Sequence, residues 1–233
     1  MVRIVILTLI LNLTNWQFGL SQNGMVAEKK AVIVLCDFSS SVDTIEARKK
    51  MHQHINRLFN LLGSNTSYYF YSVGNALEPL FQDSIRNNQR DNIETISRYM
   101  TLIRRDITKK QDGNSCLINC LNLASEKIRL LYRSEPFKKY NLVVLSDMLE
   151  ACRENGKYLN LEAGQFQPSE AWLTKWDPAK MYYTNMPNLD VQLVLTSNVQ
   201  INYEKLMRFW RNYFKKVGYK GEVGFGVDIT NRF

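Results

Sequence analysis

The stretch at residues 31–41, AVIVLCDFSSS, joins an unbroken apolar run to a polar turn, and this junction decides the fold. The run at residues 31–36 is rich in β-branched side chains, which is typical of a strand covered on both faces. Strands of this kind belong to parallel sheets, whose connections run through helices. Asp37, Ser39 and Ser41 then fall on the loop at the carboxyl end of the strand, where open α/β sheets bind their ligands.

The rest of the chain alternates helical and strand patterns. Apolar residues recur at helical spacing in residues 42–62, 115–132 and 203–217, which predicts three helices. A fourth helix is predicted in a polar segment, at residues 93–107. Strand patterns occupy residues 68–73, 76–81, 142–146, 191–196 and 223–228. The turn at Gly74-Asn75 makes the third strand an antiparallel edge. We therefore predict an α/β doubly wound fold, with a mostly parallel central sheet, one short antiparallel edge strand and helices on both faces.

The beginning of the chain predicts its compartment. Arg3 precedes an apolar run at residues 4–13, and a small-x-small cleavage pattern follows at residues 19–21. The alternative is a retained membrane anchor, but the apolar run is about half as long as a bilayer span requires. We predict a signal peptide at residues 1–21, a linker at 22–30 and one domain at 31–233, with no stable membrane span after cleavage. The protein is then secreted or periplasmic.

The charge restricts the class of partner. The chain has a formal net charge of +8 from 30 basic and 22 acidic residues. The basic residues form short, scattered clusters such as Arg104-Arg105 and Lys215-Lys216, without a long basic tract interleaved with aromatic residues. Nucleic acid is therefore an unlikely partner. The charge favours attraction to acidic surfaces in general.

The four cysteines do not form an extended disulfide framework. Cys36 lies inside the first strand pattern and is predicted to be a buried thiol. Cys116 and Cys120 are four residues apart on a helix, a geometry that rarely allows a bridge between them. We predict one bridge at most, from either Cys116 or Cys120 to Cys152. A zinc site is not expected, because there is no CxxC pair and the two histidines, at positions 52 and 54, read as helix-surface residues.

Oxygen ligands come from three segments that the predicted fold brings to one sheet edge. Asp37, Ser39 and Ser41 offer one carboxylate and two hydroxyls, a set that suits magnesium, manganese or calcium. Asp147 ends the strand pattern at residues 142–146 and would hold metal-bound water. Ser115 opens a helix, where it would serve as both helix cap and ligand.

These residues resemble the metal-ion-dependent adhesion site of the von Willebrand factor A family. Asp37, Ser39 and Ser41 match its DxSxS pattern residue for residue, and Asp147 matches its third-loop aspartate. Ser115 stands where the family usually has threonine, with Asn114 as a fallback. The resemblance covers about residues 31–228. It implies a Rossmann-like fold and a site for Mg²⁺, or Mn²⁺ or Ca²⁺, that binds a protein ligand through an acidic side chain.

Two other interpretations remain open. Asp37 could cap a turn and the serines could form a flexible connection, which would make the protein a metal-free structural subunit. A metal-dependent phosphotransfer or hydrolytic enzyme is less well supported, because the sequence has no DxD pair, glycine-rich phosphate loop, GxSxG elbow or Cys-His pair. We therefore predict an exported binding protein that is not an enzyme. We also predict little or no helix after the last strand.

Overall fold

A computed structural model describes residues 28–39, 44–74, 77–85, 94, 97–99, 101, 115–135, 137–149, 151–154, 157–160, 188–196 and 203–230. The predicted signal peptide, Ser41 and Asn114 lie outside these ranges. Residues 94, 97–99 and 101 are helical, in agreement with the helix predicted at 93–107. Within the described ranges, the helices are too short or too polar to cross a membrane.

The strands and helices are β1 (Lys30–Asp37), α1 (Ile45–Leu61), β2 (Thr66–Val73), β3 (Leu77–Ser84), α2 (Leu117–Ser134), β4 (Lys139–Ser146), β5 (Ala151–Glu154), β6 (Lys157–Asn160), β7 (Leu189–Leu195), α3 (Tyr203–Lys216) and β8 (Val223–Gly226). Apart from β5 and β6, they follow one another along the chain as the sequence predicts. One sheet has the order β3-β2-β1-β4-β7-β8. Its strands are parallel except for the antiparallel pair of β2 and β3 at one edge. The predicted α/β fold is confirmed.

The sheet separates two hydrophobic cores. On one face Ile33 and Leu35 of β1 share a core with α2 and α3, including Trp210. On the other face Val32 and Val34 share a core with α1. Successive residues of a strand point to opposite faces, so an unbroken apolar run is what a strand covered by helices on both sides requires.

The helices on the two faces begin differently. Thr44 caps α1, since its Oγ1 accepts a hydrogen bond from the Ala47 N–H at 3.1 Å. The N-cap of α2 is Cys116, whose side chain makes no capping hydrogen bond. The prediction that Ser115 caps this helix is therefore wrong, because the helix begins at Leu117 and Ser115 lies one residue before the cap.

Strands β5 and β6 form a small antiparallel hairpin that is not among the strands predicted from the sequence. Asn155-Gly156 separates the two strands in the sequence, and Asn-Gly is the most favourable two-residue hairpin turn. This dipeptide was the available indication of the hairpin.

Of the two cysteines that the sequence offers for the bridge to Cys152, one is in a disulfide, and the prediction that Cys36 is a buried thiol is confirmed. Cys116 is disulfide-bonded, whereas Cys36 and Cys120 are buried thiols outside any disulfide. Burial raises the pKa of the Cys36 thiol far above its usual range, and the charge of Asp37 adds to this effect. The side chain of Cys152 lies outside the described part of the chain.

Candidate metal centre

The candidate metal centre lies where β1 and β4 end side by side. The two strands are parallel neighbours, with Cys36 opposite Leu145, so their carboxyl ends meet at the same sheet edge. Asp37 is the last residue of β1, Ser146 is the last residue of β4, and Asp147 follows it. Ser115, just before α2, is the third contributor. These four side chains are at most 1% exposed, so their polar atoms depend on neighbouring groups of the protein for hydrogen bonds.

The carboxylate of Asp37 is the centre of this group. Its Oδ2 accepts hydrogen bonds from the hydroxyls of Ser115, at 2.9 Å, and Ser146, at 2.7 Å. Its Oδ1 accepts the backbone N–H of Ser39 at 2.9 Å. A buried carboxylate is costly unless it is well hydrogen-bonded, and three donors meet that requirement. The two serines lie 78 and 109 residues from Asp37 in the sequence, so only the folded sheet brings them together.

A tight turn places Asp147 beside this network. Asp147 Oδ1 accepts the Leu149 N–H at 2.9 Å and lies 3.5 Å from the Ser146 hydroxyl. Met148 has φ 63°, in the left-handed region that non-glycine residues rarely adopt. Its N–H donates to Ser146 Oγ at 2.9 Å, and its carbonyl accepts the Trp210 indole N–H at 3.1 Å. These two hydrogen bonds stabilise the turn that orients Asp147.

The structure brings together most of the described residues that the sequence predicts for the site. Asp37 and Ser115 are in direct contact, and Ser146 links Asp37 to Asp147. Ser39 contributes its backbone N–H, and its side chain is buried. Ser41 lies outside the described residues.

Sequence reasoning missed Ser146. Side chains of consecutive strand residues point to opposite faces, so Asp147 and Ser146 are not both expected at one site. The strand ends at Ser146 and the turn that follows allows both side chains to reach Asp37 or its neighbours. A polar residue at the end of an otherwise apolar strand was the available indication.

The chemistry of these donors fits a hard divalent cation. A serine hydroxyl donates one hydrogen and keeps two acceptor lone pairs, so Ser115 and Ser146 can bond to Asp37 and still face a cation. Carboxylate and hydroxyl oxygens are the ligands that magnesium, manganese and calcium prefer. Within the described ranges, three or more His, Cys, Asp or Glu side chains do not cluster as a metal-binding group. A cation held here would therefore be bound by hydroxyls as well as by the two carboxylates.

Comparisons with known proteins identify the fold. No protein-family model matches the sequence, and no curated protein matches it. Among solved structures, the chain is similar to PilB minor pilin from Streptococcus sanguinis, with a TM-score of 0.52 and 14% identity over 85% of this chain and 56% of that one. A von Willebrand factor type A protein from Catenulispora acidiphila gives a TM-score of 0.51 and 10% identity over 85% of this chain and 38% of that one.

Proximal thread matrix protein 1 from the mussel byssus is also similar, with a TM-score of 0.52 and 12% identity over 86% of this chain and 44% of that one. This chain thus spans little more than half of PilB and less than half of the other two proteins. Identities this low show the fold alone. The sheet order, the helices on both faces and these likenesses together show that the chain has the fold of a von Willebrand factor A domain.

Proposed function

We propose that the protein is an exported binding protein that uses a divalent cation at the metal centre to engage an acidic group of a protein partner. The observation that supports this most directly is the convergence of the Ser115 and Ser146 hydroxyls on Asp37 at a buried sheet edge. Asp37, Ser39, Ser41, Ser115 and Asp147 would hold Mg²⁺, Mn²⁺ or Ca²⁺. The cation would supply an electrophilic position for a carboxylate of the partner.

The protein's own residues would prepare the site for the cation. Asp37 accepts the hydroxyl hydrogens and so orients the oxygen lone pairs of Ser115 and Ser146. Groups that orient metal ligands in this way commonly affect metal affinity by about 10- to 100-fold. The net charge of +8 would favour approach of an acidic partner.

That the protein is a binding protein and not an enzyme is part of the proposal, and the names of two similar structures agree with a role without catalysis. They are named as a minor pilin and a thread matrix protein, which are names of structural components. We extend this to the present chain as part of the proposal. A secreted or periplasmic location belongs to the same proposal.

The test is calorimetric titration of the exported protein with Mn²⁺ and Mg²⁺, alone and with acetate as a minimal carboxylate. Asp37→Asn removes the charge at almost constant shape and should weaken Mn²⁺ binding by at least about 10-fold. The matched control is Asp190→Asn, because Asp190 is a partly exposed aspartate on β7 that pairs with Lys139 at 3.0 Å, away from the centre. The control should bind Mn²⁺ as the unmutated protein does. Failure of the unmutated protein to bind either cation, with or without acetate, would disprove the proposal.

A metal-free structural subunit is the second candidate, and one observation favours it. Three donors already serve both oxygens of Asp37, so the carboxylate is satisfied without a cation. Thermal unfolding separates the two candidates, since a ligand that binds the native state raises the melting temperature with its concentration. A melting temperature that is the same in Mn²⁺ and in a chelator would support the structural subunit.

A further inference from the structure

Half of the net charge of the protein lies on one helix. The 14 residues of α3 include five basic residues and one acidic residue, which are Lys205, Arg208, Arg211, Lys215, Lys216 and Glu204. The helix therefore carries a net charge of +4, against +8 for the whole chain. α1 and α2 are longer but carry only +3 and +2. α3 is thus the most positively charged of these three helices.

The fold gathers these charges on one side of α3. At about 100° of turn per residue, positions 208, 211, 215 and 216 occupy roughly 140° of the helix circumference. Arg208, Arg211 and Lys215 are exposed, and Lys216 is partly buried. We call these four residues the basic surface of α3. The opposite side of the helix is buried in the core and consists of Leu206, Phe209, Trp210, Tyr213 and Phe214.

The stability of the domain does not explain the basic surface of α3. Within the described ranges, none of its four cations forms a salt bridge. Arg211 has Arg208 three residues before it and Lys215 four residues after it, and like charges at these spacings destabilise a helix. Lys215 and Lys216 interact favourably with the helix dipole in the last turn, but the two arginines lie in the middle turns. A negatively charged ligand would relieve this repulsion.

The chemistry of this surface favours carboxylates of a peptide over nucleic acid or lipid. The aromatic rings of α3 at residues 209–214 are buried, so none of them can stack on a base beside the cations. Because its apolar side is buried in the core, the helix also cannot insert that side into a bilayer. From position 208 to position 215 the surface is about 11 Å long, which roughly three residues of an extended peptide span.

α3 is also in contact with the candidate metal centre. Trp210, the residue before Arg211, donates its indole N–H to the carbonyl of Met148 at 3.1 Å. Met148 belongs to the turn that orients Asp147. The helix that carries the basic surface therefore packs directly against the loop of the metal centre.

We propose that the basic surface of α3 docks an acidic segment of the protein partner, a short run of Asp or Glu residues, alongside the carboxylate that the cation engages. This inference rests on the proposed function for the identity of the partner. Ion pairs between the arginines and carboxylates need no cation, so binding at this surface is separable from binding at the metal centre. The basic surface then adds selectivity for partners with several clustered carboxylates.

The experiment uses a fluorescein-labelled hexaglutamate peptide, titrated with the protein at about 50 mM salt, with fluorescence anisotropy as the readout. Titrations are made in a chelator and in Mn²⁺. Arg208→Glu combined with Arg211→Glu reverses two charges of the basic surface. The matched control is Lys49→Glu combined with Arg133→Glu, which changes the net charge equally at exposed positions of α1 and α2. Circular dichroism checks folding, and Arg208→Gln with Arg211→Gln replaces the first variant if that variant does not fold.

In the chelator, the unmutated protein and the control should bind hexaglutamate, and the α3 variant should bind roughly 10-fold more weakly. Binding should be lost as the salt is raised to about 1 M, where the screening length is about 3 Å. Equal weakening in the variant and the control would overturn this inference, because net charge alone would then explain the binding.

Two further outcomes would also overturn it. One is the absence of peptide binding by the unmutated protein in the chelator. The other is binding to phosphatidylglycerol vesicles, lost in the α3 variant, without binding to the peptide, which would assign the surface to lipid. Calorimetry with Mn²⁺ separates this inference from the proposed function. Peptide binding through α3 by a protein that does not bind Mn²⁺ would overturn the proposed function alone.

Discussion

Ser146 has two roles in the network around Asp37. Its hydroxyl donates to Asp37 Oδ2 at 2.7 Å and accepts the Met148 N–H at 2.9 Å. The first bond helps to satisfy a buried carboxylate, and the second stabilises the turn that positions Asp147. A single hydroxyl therefore connects the end of β1 to the loop after β4.

Replacement of this hydroxyl should affect both stability and cation binding. Ser146→Ala leaves Asp37 with one hydroxyl donor fewer and the buried Met148 N–H without its acceptor. We expect a loss of about 1–3 kcal/mol in the free energy of unfolding, measured by urea denaturation. Mn²⁺ affinity should fall roughly 10-fold in calorimetry.

Ser125→Ala is the control for this prediction. Ser125 is equally buried, but its hydroxyl donates to the Asn122 carbonyl within α2 and does not contact Asp37. This variant should keep the Mn²⁺ affinity of the unmutated protein. An unchanged affinity in Ser146→Ala would show that Ser146 does not position the site.

The sequence predicts a site residue only where a polar side chain that can bind a cation stands at the end of a recognisable strand or helix. Asp37 and Asp147 follow apolar strand patterns, so both could be placed at the carboxyl edge of the sheet. Ser115 was also found, but its role as a helix cap was wrong, since helix ends are the least certain feature of a sequence pattern. The contact between Ser146 and Asp37 spans 109 residues and depends on the turn at Met148, which no local pattern encodes.

At the scale of elements, α3 stabilises the loop that carries Asp147. Trp210 is fully buried on this helix, and its indole N–H reaches the carbonyl of Met148 at 3.1 Å. Met148 is itself buried, with a backbone conformation that costs about 1–3 kcal/mol for such residues. The helix thus compensates part of the strain in the loop that orients Asp147.

Loss of this single hydrogen bond should be measurable. Trp210→Phe keeps an aromatic ring but removes the indole N–H and leaves the Met148 carbonyl without that donor. Together with the smaller ring, we expect the free energy of unfolding to fall by about 2–4 kcal/mol in urea denaturation. Tyr203→Phe is the control, because it removes an exposed hydrogen bond from the same helix to the Phe225 carbonyl. A smaller loss in Trp210→Phe than in Tyr203→Phe would contradict this account.

Hydrophobic periodicity predicts the long elements and misses the short ones. The buried positions of α1 and α2, such as Met51, Ile55, Leu121 and Ile128, follow the helical spacing read from the sequence. Residues 31–36 of β1 and 142–146 of β4 were predicted as buried runs, and they are buried because helices cover both faces. β5 and β6 have four residues each, too few for a periodic pattern, and only their Asn-Gly connection could have indicated them.

At the scale of the whole molecule, the pH dependence of stability should depend on a buried histidine of α1. His54 of α1 is only 5% exposed, so its prediction as a helix-surface residue is wrong. Burial lowers the pKa of His54 below its usual 6.5, although Asp228 and a hydrogen bond with the backbone of Leu195 oppose this effect. The positive charges of Arg57 and Lys50 lower the pKa further.

Stability should therefore decrease in mild acid. Below pH 6.5 the unfolded chain binds a proton at His54 more readily than the native protein does, so the native state loses stability as the pH falls through this value. Urea denaturation at about pH 7.5 and about pH 5.5 measures the difference. His54→Gln should lose less stability between these pH values than the unmutated protein. Equal losses in His54→Gln and the unmutated protein would exclude this role for His54.

The fold class could be predicted from the sequence, but the order of the strands in the sheet could not. Alternation of strands and helices predicts a parallel sheet with two covered faces, because parallel connections require crossovers. The position of β1 between β2 and β4 was only one of the possible orders. That order depends on how the helices pack on each face, which involves residues far apart in the sequence.

The central position of β1 also determines when the growing chain is most vulnerable. β1 is synthesised first, yet its neighbour β4 is paired with it across about 109 residues. Until the ribosome has made β4, the uncharged, β-branched segment at residues 31–36 lacks one of its two strand partners. Such segments aggregate readily when exposed. We therefore expect residues 31–36 to be most prone to aggregation before β4 is available to pair with them.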